Sequence, residues 1–198
     1  MKPFERENNV ERDILLIDYA RKEGFTESLA LRPVAKSIYY QVLNDIKKVS
    51  SGDIINCIFA GIEMCDVSFA DEFIINLQKL VMSVDNALLR IMDANDYVQE
   101  NLEGALAIRN KKDRTKICLL IFSNNNYTIL GDIEKNLKET FSVIIANYQI
   151  TAREIAQKYD IEINSASNRL KKLFDLCLLQ RKESIDEMGR QHLYYLPK

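Results

Sequence analysis

The sequence predicts an α/β fold with a mixed sheet, followed by a smaller and mainly helical module. Three observations carry that prediction. Near-continuous apolar runs alternate with helical patterns through the first part of the chain. A Thr-x-x-Glu helix start at Thr151 then opens a pair of short helices. Two strand-like runs separated by a glycine-containing turn close the chain.

The totals bound the function. The chain has 198 residues, 47% apolar and 28% charged, enough to bury a core. Its net charge is −2, which argues against indiscriminate binding to polyanions. Residues 1–131 carry 16 Lys and Arg against 19 Asp and Glu, while residues 132–198 carry 11 against 10. Any nucleic-acid binding must therefore come from local clustering. The four cysteines, Cys57, Cys65, Cys118 and Cys177, lack metal-type spacing and read as reduced core thiols. With His192 as the single histidine, no zinc site is expected, and no cofactor. No apolar signal core or membrane-spanning run stands out, so the expected location is cytoplasmic, with no membrane partner.

The elements are ordered along the chain. Residues 10–31 predict one or two strands, including Ile14–Ile17, with a turn near Gly24. Val34, Ala35, Ile38, Tyr39, Val42, Leu43 and Ile46 have the spacing of one buried helix face. Lys47 and Lys48 suit the negative end of that helix. Ser50–Asp53 is a turn, and Ile54–Ala60 reads as a strand covered on both faces. A helix carrying Phe69, Ala70, Phe73, Ile74, Leu77, Leu80 and Val81 comes next, then a strand at Ala87–Met92. A helix at 97–107 and a strand at Lys116–Phe122 complete the alternation. Arg109–Lys116 reads as a basic surface loop. Ser123–Asn126 is a turn, and the segment to Gly131 is a second hairpin strand or a linker. The boundary is expected near 125–132, dividing the chain into 1–128 and 129–198. Ile133, Leu137, Phe141, Ile144 and Ile145 then stripe a helix.

In the closing module, Thr151 and Glu154 form a capping box, and Ile155, Ala156 and Tyr159 supply a buried side. The next helix, over 164–177, turns Ala166, Leu170, Leu173, Phe174 and Cys177 inward. That leaves Ser165, Ser167, Asn168, Arg169, Lys171 and Lys172 on or near its outer side. Five cations and one anion lie between Arg169 and Lys182. Leu178–Lys182 and Gln191–Leu196 read as strands around a turn at Glu187–Arg190. The pattern Thr-Ala-x-Glu-Ile-Ala, Ala-Ser-Asn-Arg-Leu-Lys-Lys-Leu and Leu-Leu-x-Arg resembles the winged helix-turn-helix of bacterial transcription regulators. The resemblance implies that Ser165, Ser167 and Asn168 approach base edges. It implies that Arg169, Lys171 and Lys172 contact phosphates, and that Arg190 serves the wing. Asp175-Leu176-Cys177 stands where such regulators often carry a glycine.

Asp66-Val67-Ser68-Phe69-Ala70-Asp71-Glu72, together with the strand before it and Leu31-Arg32, resembles the STAS-like family related to anti-anti-sigma factors. The likeness covers roughly residues 25–122. It implies a phosphorylatable serine at Ser68 and a kinase-like ATPase as partner, although Phe69 stands where anti-anti-sigma factors have glycine. Ser68-x-x-Asp71 also has nearly the form of a capping box, so the residues favour Ser68 as a helix cap worth ~1 kcal/mol. The two roles are compatible.

Together these features predict a non-enzymatic bacterial regulator that binds double-stranded DNA as a homodimer, its first domain mediating dimerisation or a signal. A partner-switch protein with a protein-binding winged helix and a ligand-sensing regulator are the alternatives.

Overall fold

The structure is a computed structural model that describes residues 10–114, 116–186 and 189–197. It is a mixed α/β chain with both parallel and antiparallel strands. Strand β1 (Glu11–Leu15) leads directly into helix α1 (Leu16–Lys22). The expected strand at Ile14–Ile17 therefore stops at Leu15. Leu16 and Ala20, four residues apart and fully buried, show why: the apolar spacing here is helical. Gly24 makes the expected turn at φ +83°. A short strand, β2 (Ser28–Leu29), precedes α2 (Arg32–Ile46), whose Ala35, Ile38, Val42 and Ile46 are buried.

Strand β3 (Ile54–Ile58) is followed by β4 (Met64–Cys65), which pairs with β2 in a separate parallel ribbon. The single helix expected next is two, α3 (Val67–Glu72) and α4 (Ile74–Met82), broken at Phe73. Then come β5 (Leu88–Met92) and α5 (Asp96–Asp113). Helix α5 runs further than the sequence suggested, so Arg109–Asp113 belongs to its last turns and not to a loop. Strands β6 (Leu119–Ser123) and β7 (Asn126–Leu130) form a hairpin. Asn124 and Asn125, at φ +51° and +56°, make its two-residue turn. Asparagine tolerates such angles, and that turn suits the twist of paired strands.

The main sheet has the order β1-β3-β5-β6-β7, parallel except for β7. Successive parallel strands are neighbours, always stepping the same way. Right-handed crossovers then place every connecting helix on one face. The core agrees. Ile55, Cys57, Leu89, Ile91, Leu119 and Ile121 pack with residues of α1 to α5. The alternate strand residues, Ile54, Leu88, Leu120 and Tyr127, pack with the C-terminal part of the chain.

That part comprises α6 (Lys135–Asn147), β8 (Gln149–Thr151), α7 (Ala152–Tyr159), α8 (Ile163–Asp175), β9 (Gln180–Asp186) and β10 (Gly189–Tyr195). Its three strands form an antiparallel sheet in the order β8-β10-β9. The second face of the main sheet and the C-terminal helices thus share one core. The expected boundary near residue 128 falls inside β7, whose Tyr127 belongs to that core. Among the described residues no helix is long and apolar enough to cross a membrane.

Candidate nucleic-acid interface

The C-terminal segment begins with a strong local signal. The Thr151 backbone N–H donates to Glu154 Oε2 at 2.7 Å, and the Glu154 N–H donates to Thr151 Oγ1 at 3.3 Å. This reciprocal capping box starts α7 as expected. The helix ends at Asp160, whose φ of +49° turns the chain toward α8. Ile155 is fully buried between the two helices.

Helix α8 spans Ile163–Asp175, slightly displaced from the 164–177 expected. Ala166, Leu170, Leu173, Phe174 and Cys177 are buried, all as the spacing predicted. Leu176 caps the helix, and Cys177 adopts φ +54°. Its N–H donates to the Phe174 carbonyl at 2.8 Å, and the Leu178 N–H donates to the Leu173 carbonyl at 3.1 Å. That is the geometry glycine usually serves at a helix end, here adopted by a cysteine. Strand β9 starts at Gln180, two residues later than Leu178, because Leu178 and Leu179 complete this turn inside the core.

The outer side of α8 exposes Ser165, Ser167, Asn168, Lys171 and Lys172, and half-exposes Arg169. Its cations are already engaged. Lys171 pairs with Asp175 one turn on, at 2.5 Å. Lys172 reaches Glu134, just before α6, at 3.1 Å. The Arg169 guanidinium lies over the Tyr159 ring at 5.6 Å. These contacts and the helical spacing divide the outer side. Ser165, Arg169 and Lys172 lie on the flank toward α6 and α7. Ser167 and Lys171 lie on the flank toward the β9–β10 hairpin, where Phe174 packs beneath Arg181 and edge-on to Tyr194. Asn168 lies between the flanks. Asp160 and Glu162 sit before the first turn of α8. They complement the helix dipole and oppose a phosphate at that end.

In the hairpin, Glu187 and Met188 of the expected turn lie outside the described residues. Gly189 and Arg190 belong to β10, and Arg190 is 70% exposed and ion-paired to Glu183. Its cross-strand neighbour Ile185 is 80% exposed, the most exposed of the large apolar residues described. Sequence reasoning missed Ile185 because the expected strand stopped at Lys182, whereas β9 runs on to Asp186. It also passed over the exposed Gln157 and Lys158 of α7.

The residues around Ser68 form a second cluster, away from α8. Asp66, not Ser68, caps α3: its Oδ1 accepts the Phe69 N–H at 2.6 Å. Ser68 lies one residue inside the helix and donates its hydroxyl to the same oxygen at 2.8 Å. The shift is physical, since the Asp66 side chain sits at the extended residue from which the helix starts. Asp66 Oδ2 accepts the Leu31 N–H at 3.2 Å, tying α2 to α3. Burial pushes the Asp66 carboxyl up, but these donors outweigh it and hold it below its ordinary 3.8. Asp71 is buried between Arg32 at 2.7 Å and Arg109 at 2.6 Å. Arg32 also reaches Glu72 at 3.3 Å, so Asp71 and Glu72 are paired with arginines far from them in sequence.

All four cysteines are buried and free. Burial pushes Cys118 up to about 11 and Cys177 to about 12, so both remain thiols at neutral pH. Among the described residues no group of three or more His, Cys, Asp or Glu is placed to hold a metal ion. No protein-family profile and no curated protein matches this chain.

Proposed function

We propose that the chain is a DNA-binding transcriptional regulator whose C-terminal segment is a winged helix-turn-helix. The observation that supports this most is the arrangement of α7, α8 and the β9–β10 hairpin. The inner side of α8 is wholly apolar and buried, while its outer side presents small polar groups and cations beside the hairpin. Such a helix fits the major groove, with the hairpin as a wing against the backbone or minor groove. Ser167, Asn168 and Lys171, on the wing side or centre, make the principal contacts. Arg190 serves the wing. Lys172, paired to Glu134, serves the seam with α6 more than the DNA. The STAS-like reading belongs to the α/β segment, which would support dimerisation or answer a partner. A single module of modest charge binds DNA weakly, so a homodimer reading two half-sites is the working form.

The test is selection of duplexes from a random pool by the purified protein, followed by affinity measurements between about 50 and 200 mM salt. Sequence-selective binding is expected, with a logarithmic salt slope of about −0.9 per phosphate contact. Lys171→Ala should flatten the slope, and Asn168→Ala should relax selectivity. No binding at low salt would overturn the reading.

A second reading, gating by a ligand, has one observation in its favour. An apolar groove of about 300 Å³ runs along the seam, lined by Met82, Ile133, Leu137 and Leu176, with Lys116 and Lys172 among its charged residues. A small molecule there would touch both the α/β segment and the end of α8. Ligand-dependent thermal stabilisation, abolished by filling the groove with Leu137→Trp, would support it.

A further inference from the structure

The wing is held at its base by the α/β segment, through both of its strands. Gln180 opens β9 and is fully buried. Its Nε2 donates to the Gly52 carbonyl and to the Asn86 carbonyl, both at 2.9 Å. These carbonyls belong to the turns that enter β3 and β5. The next residue repeats the attachment, for the Arg181 N–H donates to Asn86 Oδ1 at 2.8 Å. Asn86 adopts φ +60°, a conformation that suits asparagine and directs both of its oxygens to β9.

The other strand is held beyond its end. Tyr127 of β7 donates its hydroxyl to the Pro197 carbonyl at 2.7 Å. Burial raises the pKa of Tyr127, so it remains a donor at neutral pH. The buried Arg90 of β5 fixes that hydroxyl from behind, with Nη1 at 3.1 Å and Nε on Asn56 Oδ1 at 2.7 Å. Leu196, also buried, donates its N–H to the Tyr148 carbonyl at 2.9 Å. The bonds from Gln180 and Arg181 to Gly52 and Asn86, and from Tyr127 to Pro197, each join residues at least 70 positions apart in the chain.

We infer that the α/β segment is the mount of the wing: Asn86 and Tyr127 are positioning residues that set where the wing meets DNA. The inference rests on the DNA-binding reading and adds a task for the α/β segment in it. Neither residue touches DNA in this arrangement. Both act through the hydrogen bonds that hold the two wing strands in register with the main sheet.

The test uses the full chain and a duplex selected by the wild type, read by hydroxyl-radical footprinting and by titration. Asn86→Gly removes the side-chain acceptor and keeps the left-handed backbone comfortable. Tyr127→Phe removes only the hydroxyl. Both are expected to lose the protection made by the wing while keeping that made by α8, and to bind about three- to tenfold more weakly. Asn86→Asp keeps the acceptor for the Arg181 N–H and should restore the wing footprint. Melting curves confirm that each variant is folded. Wild-type footprints in folded Asn86→Gly and Tyr127→Phe would overturn the inference, as would equal weakening of wing and α8 protections. Absence of any footprint for the wild type would remove the DNA reading itself, and the inference with it.

Discussion

The two faces of the main sheet are built differently. One face is closed by α1 to α5 through apolar contacts such as Ile55, Ile91 and Ile121. The other is closed by the C-terminal segment, and its middle is polar. There Arg90 is 4% exposed and bonded to Asn56, Tyr127 and Glu11. Asn56 in turn donates to Glu11 and Asp13, both at 2.7 Å. An apolar face resists dissociation but tolerates sliding, because dispersion contacts have little directionality. A buried guanidinium with fixed acceptors admits one arrangement, because every displacement leaves a polar group unpaired. The first face stabilises, and the second specifies how the C-terminal segment is seated.

The largest expected effect breaks that contrast. Arg90→Ala strands Asn56 and removes the support of Tyr127, and should lower stability by about 3–5 kcal/mol in chemical denaturation. Ile91→Ala, its neighbour on the apolar face, should cost about 2–5 kcal/mol through a cavity alone. Only Arg90→Ala should also speed hydrogen exchange of the Leu196 amide, next to the Tyr127–Pro197 contact, without global unfolding. Equal exchange in the two variants would erase the distinction.

Smaller effects sharpen the contrast within the C-terminal segment. Thr151→Ala removes one half of the capping box and should cost about 1 kcal/mol, read as a lowered melting temperature. Asp160→Gly, at an exposed left-handed position, should stabilise by about 0.5–1 kcal/mol, since glycine carries no Cβ penalty there. Lys171→Ala should change stability by less than about 0.5 kcal/mol, because its ion pair with Asp175 is solvated. Any larger consequence of that substitution must then appear in DNA binding.

Acid titration probes the α/β segment. Asp66 is held below its ordinary 3.8 by the Phe69, Ser68 and Leu31 donors. A carboxyl depressed on folding contributes stability that is present above its unfolded value and lost as pH falls through its folded value. The tie between α2 and α3 should therefore weaken only below about pH 4. Asp66→Asn should show less of this acid-side loss. An unchanged acid limb in Asp66→Asn would exclude the carboxylate as its source.

Local signals in the sequence carried far. The spacing of Ala166, Leu170, Leu173 and Phe174 predicted the buried side of α8, and Thr151 and Glu154 predicted the start of α7. Both signals act over one or two helical turns. The cap expected at Ser68 was a near miss within the same turn, decided by which residue stayed extended. The break at Phe73 and the extension of α5 through Asp113 are also matters of boundary. Arg109 was a different kind of failure. In sequence it is one cation in a basic run, and only folding brings it to Asp71.

The chain by itself indicated that the strand within Ile54–Ala60 would be covered on both faces, since that near-continuous apolar run leaves little side for water. It determined the helices by period and the turns by Asn, Gly and Ser. The tertiary structure decided what covers the second face, because the covering helices come only after α5, β6 and β7 in the chain. It also decided which polar groups meet there. Gln180 and Asn86 carry no mark of each other in sequence. A hydrogen bond specifies geometry only once both partners are placed, and that placement comes from packing many weak apolar contacts at once.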